Sequence, residues 1–205
     1  MKIYEISASA KPPRGRFPAY ADLGMREQDA KLLRPIGCGR PFPREWKSVQ
    51  FFINTPRLPR ADFYGITGAL VVNERAVELA GEPLEMSGEL LPVTIEGESG
   101  NFYIYNATNC INVLDPGKTV WKSLGAQNEY REPAKPAFIA ERFGEQSIFK
   151  FPEDGAVGIY CLERTGDADN GEFKAVVERS GLTGLRFELV WTDVKGSVNG
   201  IDIFR

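Results

Sequence analysis

Residues 185–192 alternate between apolar and polar side chains, directly after two glycines that stand three residues apart. In a strand, successive side chains point to opposite faces, so such alternation predicts one buried and one exposed face. The apolar face would carry Leu185, Phe187, Leu189 and Trp191. The opposite face would carry Arg186, Glu188 and Thr192, with Val190 as the exception. The pattern therefore predicts a strand that lies against a core.

The segment before this strand has the spacing of an amphipathic helix. Within residues 172–181, Phe173, Val176 and Val177 fall on one face. Gly181 stands where a left-handed residue commonly ends a helix, and Leu182 can then fold back on Val177. We therefore interpret the glycines as a turn between helix and strand, for which no phosphate is needed.

A second helix is predicted earlier in the chain. Residues 71–81 begin as the end of a strand and continue with Asn73, a residue that favours the N-cap position. Acidic residues follow in the first turns, where the helix dipole favours them. Gly81 would then be the residue that ends this short helix.

The remaining pattern is one of short strands. In the run of residues 101–106, Phe102 and Ile104 share one face while Tyr103 and Tyr105 share the other, so both faces can be covered. Residues 89–96 form a similar run, and the loop 97–100 between them suits a hairpin. Further strands are expected at residues 119–121, 137–140 and 147–151. Together these elements predict an α+β fold of mostly antiparallel strands with a few short helices.

Proline is concentrated in the first sixty residues, which hold eight of the fourteen prolines. Because proline fixes φ and removes a donor, this region should be irregular apart from strands near residues 2–6 and 49–53. Its apolar side chains, among them Phe42, Trp46 and Phe51, are too many for a solvated linker. We divide the chain into a basic, Pro-rich region of residues 1–68 and a body of residues 69–205, and expect them to form one integrated domain.

Charge is distributed unevenly along the chain. Residues 1–60 contain twelve Lys or Arg and five acidic residues, a balance of +7. Residues 61–205 contain thirteen and twenty-three, a balance of −10, which gives the net charge of −3. A basic segment of this kind can bind the acidic body, nucleic acid or an acidic partner, and the acidic body can bind a basic partner.

Histidine is absent, which excludes Ser-His-Asp and Cys-His nucleophilic machinery and every metal site that includes histidine. The cysteines Cys38, Cys110 and Cys161 are widely separated, so we expect free thiols without a disulfide framework. Cys38 lies near Arg34 and Arg40, whose charges would favour its thiolate. An enzyme would therefore depend on carboxylates, Lys, Tyr, Cys or backbone groups.

No motif in the chain indicates a cofactor. Residues 115–119 end like a phosphate-binding loop but lack its first glycine and contain a proline. Residues 167–172 are one residue short of the spacing of a calcium loop. The first residues have no signal-peptide pattern, and no apolar run has the length of a membrane span. We therefore expect a cytoplasmic protein with no membrane partner, no cofactor and no metal.

Five blocks of sequence occur in the order typical of one bacterial family. They are residues 70–77, 88–93, 103–115, 148–153 and 180–187. On these blocks the chain resembles an immunity-protein family of polymorphic toxin systems, typified by a myxobacterial member and first described as a domain of unknown function. The resemblance spans about residues 69–191, and the inserted segment 164–171 departs from the family pattern.

The resemblance implies a non-catalytic protein that binds and neutralises a cognate toxin. The family provides no catalytic residues to carry over. Such a binder needs a rigid scaffold, a charged surface that speeds encounter and a few anchoring side chains. An acidic body would suit a basic toxin, and we predict partner contact at the acidic loop of Asp167, Asp169 and Glu172.

Two other functions stay open. A small enzyme that uses carboxylates or Cys38 would have a concave pocket with convergent polar groups and perturbed carboxyls. A nucleic-acid-binding protein would use the basic first third, although we consider this partner unlikely on sequence grounds, and its affinity would fall steeply with salt.

Overall fold

The computed structural model describes residues 1–8, 20–37, 39–124, 130–164 and 171–193. Within this part of the chain the fold is α+β with mostly antiparallel strands, as predicted. The elements in chain order are β1 (Lys2–Ala8), β2 (Leu23–Met25), α1 (Glu27–Leu32), β3 (Gln50–Ile53), β4 (Phe63–Ile66), β5 (Ala69–Asn73), α2 (Glu74–Ser87), β6 (Gly88–Ile95), β7 (Phe102–Ala107), β8 (Val120–Leu124), β9 (Tyr130–Lys135), β10 (Ile148–Phe149), β11 (Ile159–Glu163), α3 (Phe173–Arg179) and β12 (Leu185–Thr192).

Two sheets contain most of these strands. Sheet 1 has the order β10-β11-β1-β12 and is antiparallel throughout. Sheet 2 has the order β2-β3-β6-β7-β5-β4, with a parallel pairing between β3 and β6. Strands β8 and β9 form a separate hairpin. The central strand β1 thus lies between two strands that come from the last third of the chain.

Three clusters of buried apolar residues cover the faces of the sheets. Core 1 combines residues of both sheets with α2 and α3, core 2 lies on the other face of sheet 2, and core 3 lies on the other face of sheet 1. Adjacent residues of one strand therefore enter different cores. Val71 belongs to core 2 and Val72 to core 1, and both are 0% exposed. Burial on both faces explains why β5 is a continuous apolar run without alternation.

The facing predicted for β7 is confirmed. Phe102 and Ile104 enter core 2, while Tyr103 and Tyr105 pack in core 1. Residues before position 69 contribute to the same packing, because Phe51 of β3 is fully buried in core 2.

The end of α3 is also as predicted. The amide of Leu182 donates to the carbonyl of Val177 at 3.1 Å, and that of Gly181 donates to the carbonyl of Glu178 at 3.3 Å. Gly181 has a φ of 60°, in the left-handed region. These are the paired hydrogen bonds of a Schellman ending, which satisfy carbonyls that the helix leaves free.

Hydrogen bonds join the turn that follows α3, just before β12, to the residues at the start of β4. Phe63 donates its amide to the Thr183 carbonyl at 3.1 Å. The amide and hydroxyl of Thr183 each donate to Asp62 Oδ2 at 2.8 Å. A Cβ on Gly184 would lie 2.2 Å from the Phe63 carbonyl oxygen, and the φ of Gly184 is +96°, so no other residue fits there. Gly184 therefore permits this close approach between the two sheets.

Asp62 is the centre of a closed polar cluster at this junction. Its carboxylate also accepts from Asn73 Nδ2 at 3.0 Å and from Arg75 Nη1 at 2.8 Å. Burial alone would raise the pKa of Asp62, but the hydrogen bonds from Thr183, Asn73 and Arg75 outweigh it and hold the pKa below its ordinary value.

Helix α2 is longer than predicted. It begins as expected, since the side chain of Asn73 accepts from the amide of Ala76 at 2.8 Å. The prediction that Gly81 ends it is wrong, because the chain kinks at Ala80 (φ −126°, ψ 16°) and then resumes its helix as far as Ser87. Pro83 favours this second start, since its fixed φ suits the first turn of a helix.

Strand β12 changes face near its end, which differs from the prediction. Leu185 and Phe187 pack against core 1, but Trp191 belongs to core 3 on the opposite face of sheet 1. The register explains the switch. Tyr4 pairs with Leu189 and Ile3 pairs with Trp191, so Val190 is an extra residue in a β-bulge. Thr192, predicted to face outward, is 8% exposed.

The strand predicted at residues 137–140 is reduced to a single bridge. Phe138 bridges to Leu114, and a 3₁₀ turn follows at Ala140–Arg142. Of residues 147–151, only Ile148–Phe149 form a strand, and Lys150 bridges separately to Cys110.

Lys150 is fully buried, with its ammonium group held by backbone carbonyls. Its Nζ donates to the carbonyls of Gly37, Gly68 and Ala156 at 2.8, 2.7 and 2.7 Å. We call these three carbonyls the Lys150 cradle. They belong to three separate loops, so one side chain joins residues 36–37, the β4–β5 turn and the chain before β11.

Candidate functional site

The acidic loop predicted to contact a partner is described only at its end. Asp167 and Asp169 lie outside the described residues, and their role stays a prediction. Glu172 is 8% exposed and precedes α3. Its carboxylate accepts from Arg164 Nη1 at 2.8 Å and from the Arg164 amide at 3.0 Å. Glu172 and Arg164 therefore bind each other from the two ends of the loop, and we call this pair the Arg164–Glu172 clamp.

A groove of about 330 Å³ lies beside this clamp. The second half of α2 forms one wall, and the Arg164–Glu172 clamp and Glu145 form the other. Met86 stands at its edge and is 48% exposed. Glu82 and Glu145 are exposed carboxylates on opposite walls. The groove is thus an acidic depression with an apolar side chain at its edge.

The outward side of α2 continues the same surface. We call it the α2 face and define it by Glu78, Leu79, Glu82, Glu85 and Met86, all of which are exposed. Glu78 and Leu79 precede the kink at Ala80, and the spacing of Glu82, Glu85 and Met86 places these three on one side of the turns after it. Leu79 is 45% exposed, a large fraction for a leucine. Among the described residues, none of the three glutamates has an ion-pair partner.

The α2 face has the chemistry of a protein-binding surface. Two exposed apolar side chains can lose contact with water on binding, which is favourable. The surrounding carboxylates form no ion pair with any described residue, so they give this surface a negative potential that would attract a basic partner and repel an acidic one.

A second concave region has a different character. A groove of about 570 Å³ lies between the end of β1, the β4–β5 turn and residues 154–160. Two carboxylates line it, Glu5 of β1 and Asp154. Asp154 Oδ2 accepts from Tyr160 Oη and from the Gly158 amide, each at 3.1 Å. Its Oδ1 is buried and has no hydrogen-bond partner among the described residues.

Both carboxyls in this groove have raised pKa values. Burial is the main cause of the raised pKa of Glu5, and the negative charges of Glu188 and Asp154 add to it. Burial also raises the pKa of Asp154, although the hydrogen bonds from Tyr160 and Gly158 oppose the shift. We call Glu5, Asp154 and Tyr160 the Glu5–Asp154 groove. Such groups are candidates for proton transfer in a site that binds a small molecule.

The two cysteines that the structure describes have no setting that would favour a reactive thiolate. Cys38 lies outside the described residues. Cys110 is half-buried and Cys161 is buried, and both are free. Burial raises the pKa of each thiol, which disfavours the reactive thiolate.

Two further findings concern metal sites and membrane-spanning helices among the described residues. Within them, no group of three or more Cys, Asp or Glu side chains converges as a metal site would require. The helices found there are too short or too polar to cross a lipid bilayer.

The residues of these surfaces could not be singled out in the sequence. Acidic residues number 28 and are scattered, so Glu5 and Asp154 carry no local signal. For the α2 face the sequence contains a weak signal. Leu79 and Met86 are apolar but stand outside the stripe of Ala76, Ala80 and Leu84 that the helix buries.

A scan of protein-family models finds none that matches the chain, and a search of curated proteins finds no match.

Proposed function

We propose that this protein is a non-catalytic immunity protein that neutralises a cognate bacterial toxin by binding it in a one-to-one complex. The resemblance of the five sequence blocks gives the class of partner. The observation that carries the proposal in the structure is the α2 face, where Leu79 and Met86 are 45% and 48% exposed among glutamates that form no ion pair with any described residue.

The same surface defines how the partner would bind. Leu79 and Met86 would be the apolar anchors, because large side chains that become fully buried contribute most of the free energy of binding at an interface. Glu78, Glu82 and Glu85 would speed the encounter with a basic toxin and align it. The adjacent groove provides a depression for one projecting side chain of the toxin.

The proposal predicts that a neighbouring gene encodes a toxin-like protein, and the direct test is binding to that protein. Calorimetry should show a one-to-one complex, and co-expression should relieve toxicity. Glu82→Lys combined with Glu85→Lys should slow association at low salt, with a dissociation constant at least about tenfold weaker. Met86→Ala should act instead on the dissociation rate.

The control is Glu141→Lys, an exposed glutamate in the Ala140–Arg142 turn. It makes the same change of charge outside the α2 face and should leave the affinity unchanged. Unchanged affinity in the α2 variants would show that the interface lies elsewhere. Absence of any complex with the neighbouring toxin-like protein would reject the immunity function.

The Glu5–Asp154 groove favours a second candidate function, a small enzyme that uses carboxylates. Its raised carboxyl pKa values and its volume of about 570 Å³ are the features expected of such a site. A screen for hydrolysis of small esters, glycosides and phosphates would test it. Turnover that is lost in both Glu5→Gln and Asp154→Asn, with folding preserved, would support the enzyme and contradict a purely binding role.

A further inference from the structure

Strand β12 ends sheet 1 with an open edge. It pairs with β1 on one side, and in the part of the chain that the structure describes no strand pairs with its other side. The strand is eight residues long, from Leu185 to Thr192. Along residues 185–189 this side of the strand presents amide and carbonyl groups to which another strand can add.

The side chains of this edge are complementary to themselves. Arg186 and Glu188 stand two residues apart on the exposed face, with side chains 42% and 62% exposed, and they form an ion pair at 3.4 Å within the strand that a second copy would exchange for pairs across the axis. If two β12 strands pair antiparallel about a two-fold axis at Phe187, each Arg186 lies opposite Glu188 of the partner subunit. The same register places Leu185 opposite Leu189 of the partner subunit, on the other face.

The alternative registers are less favourable. An axis at Glu188 would place that residue opposite Glu188 of the partner subunit, and an axis at Arg186 would oppose two arginines. Like charges that face each other across a strand pair are destabilising, whereas opposite charges are favourable. If the register of the two β12 strands shifted by one residue, the apolar side chains of one strand would lie opposite the charged side chains of the other. The charges thus select the register that is centred on Phe187.

We propose that β12 is a homodimerisation edge, at which a second copy of this chain pairs antiparallel through residues 185–189 and joins two copies of sheet 1 into one eight-stranded sheet. The apolar face also favours this pairing. Leu185, Phe187 and Leu189 are all partly buried, and Leu185 and Phe187 pack against core 1, so a second copy beside β12 would cover them further. The bulge at Val190 ends the regular segment and limits the pairing to these residues.

This surface is separate from the α2 face, so dimerisation and toxin binding can be tested independently. In sedimentation velocity and light scattering of the full chain, the wild type should reach twice the 22.8 kDa of one chain as concentration rises. Arg186→Glu and Glu188→Arg should each weaken the dimer by about tenfold or more, because both symmetric charge pairs become repulsive.

Recombining the charges is the decisive experiment. In a mixture of the R186E and E188R variants, each pair across the axis again joins opposite charges, so the mixed dimer should form at concentrations at which each variant alone is mostly monomeric. The double variant R186E/E188R should dimerise again by itself. Glu141→Arg is the control for a charge change away from the edge and should leave the dimer intact. Unchanged circular dichroism would show that all variants are folded.

Three results would overturn the proposal. They are a wild type that stays monomeric at the highest soluble concentration, a dimer that neither single charge reversal weakens, and a mixture of the two variants that contains no mixed dimer.

Discussion

Replacing Lys150 with methionine tests whether the Lys150 cradle holds three loops together. Methionine has nearly the length of lysine and fills the same space, so Lys150→Met removes the ammonium group without opening a large cavity. The carbonyls of Gly37, Gly68 and Ala156 would then lose a charged donor that now lies within 2.8 Å of each.

Two opposing contributions determine the size of the effect. A buried acceptor left without a partner costs about 1–3 kcal/mol, so three would cost roughly 3–9 kcal/mol. Removing a buried charge recovers a desolvation penalty of the order of several kcal/mol. The net loss should therefore lie near the lower end, at about 3 kcal/mol. This would be a large part of the roughly 5–15 kcal/mol by which a typical domain is stable.

Urea unfolding followed by tryptophan fluorescence and circular dichroism gives the free energy of unfolding. Lys118→Met is the matched control, because the Lys118 side chain is 78% exposed and its loss should change that free energy by less than about 0.5 kcal/mol. Hydrogen exchange should also become faster at residues 36–37 and at the β4–β5 turn. A loss below about 1 kcal/mol in Lys150→Met would refute the idea that the cradle is a principal support of the fold.

Four further substitutions test the electrostatics and the packing. Because the folded-state pKa of Asp62 is lowered, its stabilising contribution is complete above the unfolded value of about 3.9 and is lost as pH falls through the folded pKa. Asp62→Asn should therefore flatten the acid side of the stability–pH curve, and an unchanged acid side would contradict the hydrogen-bond assignment. The pKa of Glu5 is raised, so its charge destabilises the fold at neutral pH and ceases to do so once pH falls below the ordinary value of 4.5. Glu5→Gln should be more stable than the wild type at neutral pH and equal to it in acid; lower stability at neutral pH would show that the charge is favourable. Phe173→Ala should cost about 3–5 kcal/mol, because Phe173 is 0% exposed. Phe187→Ala should cost less, since Phe187 is only partly buried beside it, and the reverse order would contradict the facing of β12.

Features that depend on neighbouring residues could be predicted from the sequence. Asn73 caps α2, and Gly181 with Leu182 ends α3, because caps use side chains and amides within a few residues of the helix end. The face of Trp191 could not be predicted, since it depends on a bulge that is defined by pairing with Ile3. Nothing near Trp191 in the sequence specifies that partner.

In the candidate sites, too, the sequence predicted the local features but not those that depend on tertiary contacts. The sequence indicated an acidic body, and the described residues contain an acidic helix face and an acidic groove. It could not indicate that Glu172 is bound by Arg164, or that Glu5 lies near Asp154, because these side chains come together only through tertiary contacts. For Lys150 the sequence contains one signal, since a lysine stands between Phe149 and Phe151. Its partners could not be predicted, because they are backbone carbonyls, which every residue type carries.

The central place of β1 in sheet 1 has a consequence for biogenesis. Residues 2–8 leave the ribosome long before the strands on either side of them, which are residues 159–163 and 185–192. At translation rates of about 5–20 residues per second, β1 waits on the order of ten seconds or more for its neighbours. During that time Ile3 and Ile6 are available to chaperones or to aggregation. Substitutions in β1 should therefore affect soluble yield in the cell more than they affect the stability of the finished protein.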